Sequence, residues 1–221
     1  MLIKDIPIYV MHYTKLVDRR IRLENVLTGI GLTAYWVTSF DQEQLDGSEY
    51  YFDNQEIWRQ KTKLFGDTPY RILKKSEISL TMKHLYAFSH ALAQDSEYSL
   101  FLEDDVVFCD NFVAIFDHMF QGLPADADAV FIGNGCNLRI KAPLPDVHFY
   151  WRDHPACKCT DSFLLKKSAL AKILTTIKPF NLPIDFELCY QFQLHNLKVY
   201  WLEPPIVIQG SQVGLYESAI Q

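Results

Sequence analysis

Short apolar runs alternate with helical stripes along this chain, and that alternation restricts its fold more than any other feature. Ile6 to Met11 is a run that is apolar on both faces. Asp18 to Gly31 follows, with Leu23, Leu27 and Ile30 on one stripe and Gly29 or Gly31 at its end, the pattern of a helix laid on a core. Thr33 to Thr38 returns as a β-rich run. A strand–helix–strand opening predicts a βαβ unit and a mostly parallel sheet.

The pattern persists downstream. Ser79 to Gln94 reads as a helix with Leu85, Phe88 and Leu92 in register, and Tyr98 to Leu102 as a strand. Asp128 to Ile132 is a further strand that stops at Gly133-Asn134-Gly135, and Asp161 to Leu165 is extended. Ser168 to Ile177 has helical spacing, Pro183-Ile184-Asp185 opens a last helix, and Lys198 to Leu202 is a final strand before Pro204-Pro205. Together these predict an α/β fold with a mostly parallel, twisted sheet, helices on both faces, and one domain over residues 1–221. Residues 41–76 are polar and poorly periodic, and a stretch of that length predicts a functional lid loop. Pro143, Pro145 and Pro155 mark a loop-rich middle.

A net charge of −6 argues against a nucleic-acid partner, because such binding needs clustered Lys and Arg, and the basic runs here are only pairs. A phosphate-bearing small molecule needs one or two cations and stays compatible with this balance. Met1-Leu2-Ile3-Lys4-Asp5 lacks a basic segment followed by a long apolar stretch, so no secretory signal is expected. No run reaches the roughly 18 to 20 apolar residues of a membrane span. Five cysteines, with only one residue between Cys157 and Cys159, argue for reduced thiols rather than a disulfide framework or zinc knuckle. The expected location is cytoplasmic, which is compatible with peripheral contact at the inner face of a membrane.

The chemistry-bearing element is Glu103-Asp104-Asp105, directly after the apolar Ser99-Leu100-Phe101-Leu102. In open α/β sheets ligands bind beyond the carboxyl ends of the strands. Three adjacent carboxylates repel one another unless water or a cation compensates. Magnesium-like ions combine one or two carboxylates with substrate phosphates, so the placement suits a metal–diphosphate site. A solvated acidic turn is the alternative. In a strand-end conformation residues 103 and 105 point one way and 104 the other.

The chain resembles glycosyltransferase family 25, the lipooligosaccharide β-galactosyltransferase and procollagen galactosyltransferase type. Ile8 to Met11 followed by Asp18-Arg19-Arg20 resembles the family's opening strand and "dRr" helix start. Ser79-Leu80-Thr81-Met82-Lys83-His84 stands where the family has "GCxxSH", but with Met82 and Lys83 before His84. Phe101-Leu102-Glu103-Asp104-Asp105-Val106 matches "hLEDDV", the most specific block, and Asp128 to Gly133 matches "Dhhhhg". Pro183-Ile184-Asp185 resembles "PvD", and Pro204-Pro205-Ile206-Val207-Ile208-Gln209 resembles the closing "PPhVxQ".

The resemblance implies a GT-A fold, a UDP-sugar donor (most often UDP-galactose), Mn²⁺ or Mg²⁺, and inversion at the anomeric carbon. The acceptor would be a glycan or a hydroxylated group. Glu103 and Asp105 are then the metal ligands of choice, with Gln209 a further candidate, and Asp104 would face ribose or sugar hydroxyls. His12 and Tyr13 are candidates for the nucleotide pocket, Arg19 or Arg20 for phosphate, and His84 for the donor site or, alternatively, a structural role. Asp185 is the candidate general base, with Glu187 two residues on; the competing role for Asp185 is a helix N-cap. A retaining transferase on the same fold and a catalytically inactive carbohydrate- or protein-binding module are the competing readings.

Overall fold

In a computed structural model that describes residues 1–66 and 68–217, the opening alternation becomes β1 (Ile8–Met11), α1 (Val17–Gly29) and β2 (Tyr35–Val37), with the two strands parallel. Helix α1 ends in a Schellman arrangement. Gly31 takes φ +74°, Leu32 N donates to Leu27 O at 2.8 Å, and Gly31 N donates to Thr28 O at 3.0 Å. A left-handed residue is needed there, which is what Gly31 supplies.

Next come α2 (Gln55–Thr62), α3 (Lys75–Leu92), β3 (Tyr98–Glu103), β4 (Val106–Phe108), α4 (Phe112–Met119) and β5 (Ala129–Phe131). β6 (Phe149–Arg152), β7 (Ser162–Lys166), α5 (Lys167–Thr176), α6 (Ile184–Leu194), β8 (Val199–Leu202) and β9 (Val207–Gln209) complete the order. Seven strands form one sheet in the order β2-β1-β3-β7-β5-β8-β6, and β4 pairs with β9 in a separate ribbon. β1, β2, β3, β5 and β8 run in one direction, while β7 and the edge strand β6 run against them. The sheet is therefore mostly parallel, as the alternation predicts.

Period-two alternation divides the apolar residues between two faces. Tyr9, Phe101, Phe131 and Phe163 join Phe88 of α3, Ile173 of α5 and Phe192 of α6 on one face. Ile8, Val10, Leu100, Leu102 and Leu164 join Leu23 of α1 and Phe116 of α4 on the other. No helix among the described residues is long and apolar enough to cross a membrane.

Three expectations need correction. The strand at the end of the alternation, β8, is not the final one: the chain passes Pro204-Pro205 and adds β9, which pairs with β4 outside the main sheet. Residues 41–76 are not a loop throughout: α2 lies within them, capped by Asn54 accepting from Ile57 N and anchored by Trp58, which is 1% exposed. Its only large apolar residues, Ile57 and Trp58, are adjacent rather than spaced as a stripe, so periodicity misses it. The loop-rich middle contains β6, whose Phe149-Tyr150-Trp151-Arg152 pairs with β8 along only one edge.

Candidate active site

Parallel pairing of β1 with β3 sets Met11 opposite Glu103, so His12 and the acidic triplet leave the sheet side by side. β7 runs the other way, and its start falls at the same edge, where Glu103 N donates to Asp161 O at 2.9 Å. The three carboxylates then diverge. Asp104 turns toward α1, where its carboxylate takes Arg19 Nη1 at 2.9 Å and His12 Nδ1 at 2.8 Å. Glu103 accepts from Thr160 Oγ1 at 2.8 Å and from Gln209 Nε2 at 3.2 Å. Asp105 Oδ2 accepts from Ser211 N at 3.2 Å, while its Oδ1 is buried without a partner.

Asp104 is thus neutralised by Arg19, whereas no cationic side chain among the described residues pairs with Glu103 or Asp105. Burial first, then the like charges of Asp105, Asp161 and Asp104, push the Glu103 carboxyl up to about 8 against the opposing Thr160 hydroxyl. Asp161 is pushed up to about 7, again chiefly by burial. Its Oδ2 lies where a side chain on Gly133 would be, 1.8 Å from a Cβ built there, so glycine is required at that position. Both folded-state values exceed the ordinary carboxylate values of 4.5 and 3.8. The stability these groups contribute is therefore full below about pH 4 and is lost as pH rises through about 7 to 8. In metal-free buffer the urea midpoint is expected to fall across that interval, and Glu103→Gln should flatten part of the fall. Parallel wild-type and variant profiles would contradict the assignment.

Two cavities meet at Glu103. The first is walled by His12, Tyr13 and Arg19 on one side and Ser79 and Lys83 of α3 on the other, with Glu103, Asp104 and Asp105 on its floor. The second is lined by Arg71, Glu77, Thr160, Asp185 and Phe186. Glu103, Leu80 and Gln209 border both. Lys83 is buried in an ion pair with Asp41 at 2.7 Å. Asp185 is not the cap of α6, a position held by Pro183; it lies in the first turn and accepts from Phe186 N at 2.9 Å. Burial raises the Asp185 carboxyl above its usual range, with Arg71 opposing the shift and Glu77 adding to it.

The structure does not bring three of the candidate residues to these cavities. His84 is fully buried between Phe88 and Phe163, its Nδ1 2.9 Å from Leu80 O, and burial lowers it to about 4. It packs the core as a neutral ring. Arg20 lies on the outer face of α1, over the Trp36 ring at 5.1 Å. Glu187 is fully buried and pairs with Lys61 at 2.6 Å, while Asn181 N and Leu182 N reach its other oxygen at 3.4 Å. It anchors α2 to α6. Glu187→Ala leaves a buried ammonium unpaired, so it should cost about 3–5 kcal/mol in urea unfolding. An unchanged midpoint would refute the anchoring role.

Sequence reasoning missed Thr160, Asp161, Arg71 and Glu77. Thr160 and Asp161 precede an antiparallel strand, and only its pairing with β3 shows that they reach the acidic triplet. Arg71 and Glu77 are joined by two contacts, one of 2.6 Å, but six residues apart in sequence they carry no periodic signal. Among the described residues no three His, Cys, Asp or Glu side chains are grouped as a metal-ligand set.

The fold is similar to that of A197 from STIV, with TM-score 0.42 and 14% identity over 88% of this chain and 80% of that one. It is also similar to the glycosyltransferase GlyE in Streptococcus pneumoniae TIGR4, with TM-score 0.46 and 9% identity over 92% of this chain and 54% of that one. The apo form of GlyE gives TM-score 0.45, with 9% identity over 93% and 54%. The chain thus spans about half the length of the GlyE chains. No curated protein matches it in sequence. Residues 5–140, more than half of the 221 residues, match the sequence pattern of Glycosyltransferase family 25 (LPS biosynthesis protein), and the chain belongs to that glycosyltransferase family.

Proposed function

We propose that this glycosyltransferase moves a sugar, with galactose the first candidate, from a UDP-sugar to a glycan or other hydroxylated acceptor, with inversion on a GT-A-type fold. The observation that carries the reading is the pair of cavities meeting at Glu103, with the unneutralised carboxylates on one side and Asp185 on the other. The first cavity takes the nucleotide diphosphate: His12 and Tyr13 line it, and Arg19 supplies a cation beside Asp104. The second takes the acceptor.

The residues present suit a divalent cation. Glu103 and Asp105 are hard oxygen donors, and the buried Asp105 Oδ1, unpartnered among the described residues, offers a place for a cation. Two protein carboxylates are enough when diphosphate and water complete the shell, which accommodates the lack of a three-residue cluster. Glu103 and Asp105 would hold Mn²⁺ or Mg²⁺, which when bound would supply charge neutralisation for the departing diphosphate. Gln209 orients Glu103 through its amide. Asp185, within the second cavity, takes the proton of the acceptor hydroxyl as that oxygen attacks the anomeric carbon.

A screen of hydrolysis and transfer across UDP-sugars, with and without Mn²⁺ or Mg²⁺, tests donor, metal and enzyme together, and NMR of the product anomer tests inversion. No turnover and no metal-dependent UDP binding would favour a non-catalytic binding module; a retained anomer would remove the role given to Asp185.

A further inference from the structure

The five cysteines are all free, and four of them fall into two close pairs. Cys157 N donates to the Cys189 sulfur at 3.1 Å inside the fold. Cys136 and Cys159 are different: their sulfurs lie 2.8 Å apart, Cys136 is exposed and Cys159 is partly exposed. Both residues hold left-handed backbone, φ 52° and 62° respectively, which side-chain-bearing residues adopt only where the surroundings enforce it. Gly135 is the reason the two loops come this close. A Cβ there would stand 2.0 Å from Lys158 O and 2.8 Å from Cys159 Cβ.

We propose that Cys136 and Cys159 are a disulfide-forming modification site that braces the two loops holding Glu103. Closing to a bond of about 2.05 Å needs a movement of under about 1 Å. Thr160, next to Cys159, donates to Glu103 Oε1 at 2.8 Å. Asn134, two residues before Cys136, accepts from Gln209 N at 2.9 Å, and the Gln209 side chain donates to Glu103 Oε2 at 3.2 Å. The link therefore joins the supports on the two sides of one carboxylate. The sulfur chemistry stands on its own geometry; only its bearing on sugar transfer rests on the function proposed above.

The oxidant is a low-molecular-weight disulfide such as oxidised glutathione. Cys136, the exposed sulfur, loses its proton to solvent and attacks the small disulfide, breaking its S–S bond and releasing one thiol. Cys159 then loses its proton to solvent and attacks the Cys136 sulfur, forming the protein disulfide and releasing the second thiol. Two protein thiols are oxidised and one small disulfide is reduced. Burial raises the Cys159 thiol, which fits its place as the second, resolving sulfur.

Incubation with oxidised glutathione, followed by thiol titration in denaturant, should lower the count in the wild type from five to three. Cys136→Ser and Cys159→Ser each start at four and should not form an internal disulfide. Peptide mapping without reduction should link the segment carrying Cys136 to residues 159–166, and hydrogen exchange should slow at 133–137 and 158–162. Five persisting thiols overturn the proposal, as does a link through Cys157, Cys189 or Cys109. Stoichiometric bound zinc protecting the thiols, or unchanged exchange in both loops of the linked protein, would overturn it as well.

Discussion

Asp105→Ala and Glu103→Ala should each lower sugar transfer by about 10²-fold or more, the loss typical of deleting one preorganised charge-stabilising group. Both should also weaken UDP binding in Mn²⁺. Neither should unfold the protein, because each removes a carboxylate from a cluster of like charges and relieves repulsion in the absence of a cation. Asp104 offers the contrast. Its carboxylate is the partner of Arg19 Nη1 at 2.9 Å, in a pair whose side chains are 10% and 8% exposed. Asp104→Ala therefore strands a buried guanidinium and should cost about 3–5 kcal/mol in stability. Three adjacent acidic residues thus divide into one paired with Arg19 and two that no cationic side chain among the described residues pairs with. Calorimetry with UDP and Mn²⁺, run beside thermal melts of all three variants, makes the division visible. Wild-type-like UDP binding in both Asp105→Ala and Glu103→Ala would remove the site as drawn.

The parts of this fold legible in the sequence are those where one period dominates a segment. Leu23 and Leu27 mark α1, and the unbroken apolar run through Leu100 to Leu102 marks a central strand with neighbours on both sides. The acidic triplet stands out in the sequence for a related reason: it follows an unbroken apolar strand directly, which places it at a strand's carboxyl end. What stayed hidden depends on partners distant in sequence. Glu187 and Asp185 are two residues apart in the first turn of one helix, but Lys61, 126 residues from Glu187, claims the one and leaves the other facing the cavity. His84 looks identical in sequence whether it faces a ligand or a core; the rings of Phe88 and Phe163 decide it. Lys83, where the family pattern has Ser, is accommodated because Asp41 neutralises it. The disulfide-ready pair joins residues 23 apart, brought together by a glycine whose necessity shows only in three dimensions.

Asp185 carries the second large expectation. A general base must be ionised when it meets the acceptor hydroxyl, and Asn preserves its shape without comparable basicity. The structural duty of Asp185 is small: one hydrogen bond from Phe186 N, in the first turn of α6, where a carboxylate also favours the helix dipole. An Asn side-chain oxygen can accept the same bond. Asp185→Asn should therefore leave melting temperature and UDP affinity nearly intact while cutting transfer by a factor on the order of 10² to 10⁴. Asp185→Ala should lose the same turnover and, with the local bond, about 1 kcal/mol of stability. Hydrolysis of the donor by water supplies a second readout. Water competes for the same anomeric carbon, but Asp185 lines the second cavity, the one proposed for the acceptor, so transfer should fall further than hydrolysis. The carboxyl is raised by burial, so the wild-type rate should climb with pH through a value above the ordinary Asp range, and the Asn variant should lack that limb. An Asn variant that transfers sugar at close to the wild-type rate would assign Asp185 to the helix alone.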